Sequence, residues 1–108
     1  MWLVRDGVVL ATAEVASDAR ARRRGLLGRD SFEGALVLRP CRHVHTFGMR
    51  FPIDVGFCDV NGVVLRTSTL RPRRVSPVVF RAAFGVEAAA GAFDRWQLRP
   101  GDRLELRG

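Results

Sequence analysis

Between Cys41 and Asp59 the chain reads Cys-Arg-His-Val-His-Thr-Phe-Gly-Met-Arg-Phe-Pro-Ile-Asp-Val-Gly-Phe-Cys-Asp, a run holding two thiols, two imidazoles and carboxylates. Side chains alternate across a strand. If residues 41–46 and 53–58 pair around the connection 47–52, with Thr46 opposite Ile53, one face collects three pairs. Cys41 then faces Cys58, His43 faces Gly56 and His45 faces Asp54. Arg42, Val44, Val55 and Phe57 take the other face. A slip of one residue in either strand would turn every side chain of that strand over.

Each pair suggests a chemistry. His43 and His45 lie about 7 Å apart at Cα, a spacing two ligands of one metal can use, and Asp54 offers a third. A metal-binding β-sandwich using His43, His45 and Asp54 is therefore one alternative. The jelly-roll cupins begin their metal motif with His-x-His, but a glutamate follows three or four residues on. Met49 and Arg50 occupy that region here, and no metal or other cofactor is expected. The opposed cysteines suit either a disulfide or a pair of reduced, buried small hydrophobes. In a cytosolic protein the reduced state is the expected one, and redox catalysis would need a lowered thiol pKa, for which Arg42, pointing to the other face, is no source. His45 oriented by Asp54 is half of a nucleophilic arrangement. Thr46 points away and Cys58 sits roughly 13 Å from Asp54 along the strand, so no attacking group completes it. What remains is a non-enzymatic binding or accessory module. Its contact site for a small molecule or peptide comprises His45, Thr46, Phe47, Met49, Arg50 and Asp54, with Met49 as an adaptable surface. Phe47, Met49 and Phe51 would equally serve as a plug for the end of the fold.

The elements that would hold these residues are short. Trp2-Leu3-Val4 and Val8-Val9-Leu10 flank Asp6-Gly7, a dipeptide suited to the positive φ angles of a hairpin turn. Ser17 or Asp18 offers an N-cap for a helix over Ala19 to about Leu27, with Gly28 as its stop. Ala35 to Leu38 forms a strand closed by Pro40. Asn61-Gly62 turns the chain into a strand from Val63 to Thr67. Residues 71–78, with two prolines and three arginines, read as a loop or irregular edge. Phe84 to Ala88 reads as a strand, because Gly85 and Gly91 interrupt a helix. Arg103 to Arg107 alternates cleanly. The fold class is mainly β: a β-sandwich or partly open barrel of short, mostly antiparallel strands with one short helix near residues 18–27.

Composition narrows the class further. At 108 residues the chain is one domain, and 47% hydrophobic content excludes disorder. No apolar run approaches the ~20 residues of a membrane span. The start, Met1 to Gly7, lacks the pattern of a signal peptide, so a cytoplasmic location is expected. All 18 basic residues are arginine, and the net charge is +7. Arg20, Arg22, Arg23 and Arg24 on the helix with Arg71, Arg73 and Arg74 in the loop make weak, non-specific nucleic-acid binding a second alternative. Scarce exposed aromatics argue against specific recognition.

Four motifs recur together in one known family. They are Arg24-Gly25-Leu26-Leu27-Gly28-Arg29, then His45-Thr46-Phe47-Gly48-Met49-Arg50-Phe51-Pro52-Ile53-Asp54-Val55, then Glu87 with Ala90-Gly91 and Pro100-Gly101-Asp102. Nearly the whole chain thereby resembles domain of unknown function 192. Cys41, His45, Thr46, Met49, Pro52 and Asp54 match its pattern, whereas His43 falls outside it. The resemblance implies a small β-sandwich with a helix packed on it, and implies no activity.

Overall fold

Trp2–Arg5 (β1) and Val8–Ala16 (β2) form the hairpin expected around Asp6-Gly7, and both turn residues take positive φ, 51° and 79°. The computed structural model describes all 108 residues. Beyond the hairpin, β2 changes partner along its length. Its first half pairs antiparallel with β1, and Ala13 to Ala16 run parallel to Ala35–Leu38 (β3). Ile53–Cys58 (β4), Val64–Leu70 (β5), Phe84–Ala89 (β6) and Leu104–Arg107 (β7) complete one mixed sheet of order β5-β4-β6-β3-β2-β1-β7. Its two ends meet at an isolated bridge between Val63 and Arg103, and the sheet does not close into a barrel. The fold is mainly β, as expected, and no helix is long and apolar enough to cross a membrane.

Both faces of the central strands are covered. All six residues of β4 are buried, as are all four of β3. On one face Val37, Val86, Ala88 and Cys58 pack with Leu3, Leu104 and Phe93. On the other, Leu36, Leu38, Ile53, Val55 and Phe57 lie beneath Leu26, Val44 and Met49.

Two helices sit on these faces. Asp18 caps Ala19–Arg24 (α1), its carboxylate accepting from the Ala21 N–H at 2.8 Å. The helix ends at Gly25 rather than running on to Leu27. Gly25 has φ 48°, and a Cβ there would stand 3.1 Å from Glu87 Oε1, so the chain needs glycine where it comes down onto β6. The second helix, Ala92–Trp96 (α2), was not anticipated. Its N-terminus has no local side-chain cap. Asp54 Oδ2 supplies the cap instead, accepting from the N–H groups of Gly91 and Phe93 at 3.0 Å each.

The pairing expected between 41–46 and 53–58 is absent. β4 has β5 on one side, set by the Asn61-Gly62 turn, and β6 on the other, with Asp54 beside Thr69 and Ala88. Both hydrogen-bonding edges of β4 are therefore taken. Residues 42–46 leave the sheet and pair with the proline-containing segment after β5. Thr46 N–H donates to the Arg74 carbonyl at 2.8 Å, Ser76 N–H to Val44 at 2.9 Å and Val79 N–H to Arg42 at 2.8 Å. The irregular 71–78 stretch, legible as a loop, is thus, with Val79, the backbone partner of the histidine segment.

Candidate functional site

Because residues 41–46 lie over the sheet, the residues expected to share one strand face are separated. Asp54 points to the α2 face, where its carboxylate also accepts from Thr69 Oγ1 at 2.7 Å. It is 3% exposed and fully occupied in holding α2, so it does not meet His45. The set His43, His45 and Asp54 consequently does not converge on a common point. Cys41 and Cys58 are also apart: Cys41 Sγ lies over Gly85 on one face of β6, while Cys58 is buried in the core of the other face. Both are free thiols. Thr46 is buried and structural, its Oγ1 donating to the Arg71 carbonyl at 2.6 Å and accepting from Arg74 N–H at 2.8 Å. Arg50 is exposed and pairs with Asp30 at 2.6 Å. Phe47 is half exposed and lies against the His45 ring.

His43, His45 and Met49 remain on one side of the sheet, together with Cys41 and with residues of α1 and the 80–83 turn for which the sequence alone suggests no site. They line a pocket of about 830 Å³ between α1, the 40–45 segment and the turn at 80–83. That volume falls within the range typical of small-molecule sites. Leu26, Leu38, Val44, Met49 and Ala82, all buried, form its walls. Arg22 fastens α1 across it, donating through Nη1 to the Pro40 carbonyl at 3.1 Å. Arg23, Arg24, Arg42 and Arg81 are exposed lining residues, and none belongs to the ion pairs of the structure, which use Arg5, Arg29, Arg50 and Arg107.

Glu87 lies at the floor. It projects from the central strand β6 toward α1, between Leu36 of β3 and Val55 of β4. It is only 4% exposed, and its Oε1 has no hydrogen-bond partner. Native proteins rarely leave a buried polar atom so. Burial pushes the Glu87 carboxyl up to about 7, so the acid changes charge near neutrality. Such a group can donate a hydrogen bond when protonated, accept one when ionised, or move a proton. The nearby thiol is less reactive. Burial, then the charge of Glu87, push Cys41 up to about 11, against the smaller opposing effects of the His43 backbone and of Arg22. Burial, then Asp59, push Cys58 up to about 12. Neither thiol is a thiolate at neutral pH. Glu87 had a signal in the sequence: it is the one charged residue in the otherwise apolar run from Ala82 to Phe93.

A family model described as Uncharacterized ACR, the domain of unknown function 192, matches residues 2–106. No curated protein matches the chain. A Novosphingobium aromaticivorans protein of unknown function is similar in fold, with TM-score 0.76 at 18% identity over 87% of this chain and 74% of that one. A Sinorhizobium meliloti protein described as a candidate transcription regulator is similar with TM-score 0.76 at 26% identity, over 88% of this chain and 81% of that one.

Proposed function

We propose that this chain, which belongs to the domain of unknown function 192 family, is a non-enzymatic binding module whose small ligand occupies the pocket above Glu87. The observation that carries this reading is the buried Glu87 oxygen left without a partner at the floor of an open, apolar-walled pocket. A carboxyl without a partner costs folding free energy that a ligand hydrogen bond would recover. In this reading His45 and Met49 line the ligand site, and Glu87, rather than Asp54, supplies its carboxyl. The raised Cys41 thiol favours binding over nucleophilic chemistry, since the pocket holds no activated sulfur.

Amide NMR spectra recorded during a fragment screen test the reading. Hits should move the signals of residues 22–26, 41–45, 80–83 and Glu87 together. Ala19→Trp, an exposed helix position that lines the pocket, should close its mouth and abolish those shifts. Shifts scattered over the surface, or untouched by Ala19→Trp, would refute a ligand site there.

A second reading, weak and sequence-blind nucleic-acid binding, is favoured by the exposed arginines of α1 and of 71–74. It predicts an affinity whose logarithm falls with log salt at about −0.9 per phosphate contacted, equally for unrelated duplexes. Discrimination between duplexes at physiological salt would contradict it.

A further inference from the structure

The pocket is graded from bottom to top. Its deep surface is apolar apart from Glu87, and its exposed lining carries Arg23, Arg24, Arg42 and Arg81. Glu87 is the only carboxylic acid in the lining, so the mouth is cationic and holds no acid to neutralise it. Phe80 and Val60, 79% and 84% exposed, add apolar surface at the same mouth.

Each layer selects one part of a ligand. Arginines present planar, forked donors matched to carboxylate or phosphate oxygens. Leu26, Leu38, Val44 and Met49 reward an apolar body, with the Met49 thioether adapting to its shape. The floor rewards a group that satisfies Glu87 without adding charge. A hydroxyl or an amide does so in either protonation state, since each can both donate and accept.

Resting on the binding reading above, we propose that the ligand is an elongated amphipathic anion. Its carboxylate or phosphate meets the arginines at the mouth, its apolar body lies along the pocket walls, and a hydroxyl or amide at the far end meets Glu87.

Calorimetry with ω-hydroxydecanoate, decanoate and decanediol separates these requirements, with amide NMR locating each probe. The hydroxy acid should bind best. Decanoate, which strands Glu87 without a partner, and decanediol, which lacks the anion, should each bind about tenfold more weakly. Glu87→Leu should reverse the first preference, making decanoate the tighter ligand. Arg42→Ala with Arg81→Ala should weaken both acids and leave the diol unchanged; both arginines are exposed, so the fold tolerates their loss. Phosphate in place of the carboxylate should bind at least as well, and loss of binding on that exchange would restrict the class to carboxylates and overturn the wider proposal. If the diol binds as tightly as the hydroxy acid, with shifts confined to the pocket, the ligand class is wrong while the pocket remains a binding site. If no probe shifts the pocket signals, the ligand class is wrong, and an empty fragment screen would remove the site itself.

Discussion

Replacing Glu87 by glutamine keeps the size and one carbonyl oxygen of the side chain but removes its titration. In the native protein the carboxyl holds its proton up to about pH 7, whereas in the unfolded chain it releases it near its ordinary value of 4.5. Between those values the native state binds more protons than the unfolded state, so stability falls as pH rises and levels off above the native pKa. The cause is burial between Leu36 and Val55 beneath Gly25, with no partner for Oε1. At ~1.4 kcal/mol per tenfold change in an acid constant, the interval corresponds to about 3 kcal/mol. Urea denaturation of both proteins across this pH range measures it. The remaining carboxylates, histidines and arginines are common to both and cancel in the difference. The wild type should lose about 3 kcal/mol relative to Glu87→Gln between pH 4.5 and 7, and the difference should stay constant above that. Parallel curves would refute a desolvated acid on the pocket floor.

Asp54→Ala removes the acceptor of Thr69 Oγ1 and of two backbone N–H groups at the start of α2. It should cost about 3 kcal/mol in urea denaturation, while leaving probe binding in the opposite-face pocket unchanged. Thr46→Val strands the Arg74 N–H and loosens the 71–74 segment. A loss of about 2 kcal/mol and faster hydrogen exchange at the Arg74 amide are expected; unchanged exchange would show that the hydroxyl does not hold the segment. Iodoacetamide at neutral pH should leave Cys58 unlabelled until the protein unfolds and should label Cys41 more slowly than a free thiol. Mass spectrometry after mild oxidation should find no Cys41–Cys58 disulfide, because the sheet lies between them.

Local chemistry was legible in the sequence wherever a few neighbouring residues decide the conformation. Asp6-Gly7 and Asn61-Gly62 specify hairpins through positive φ, Asp18 specifies a helix start, and the apolar runs of β3 and β6 specify strands. The mainly β class followed from those pieces, and the family resemblance from the separate motifs at Arg24–Arg29, His45–Val55, Glu87 with Ala90-Gly91, and Pro100–Asp102. Tertiary structure decided which edges pair. Residues 41–46 and 53–58 were well matched in chemistry, but β4 could form only two ladders, and β5 and β6 occupied both. That choice sent Asp54 to cap a helix 37 residues away and carried the histidines over the opposite face. It also made a site of Glu87. A glutamate in a strand is unremarkable on its own, and its desolvation comes from Leu36, Val55 and Gly25, brought around it by three different parts of the chain. Spacing along a sequence reports which side chains share a face of one strand; which face is covered, and by what, depends on contacts between distant segments.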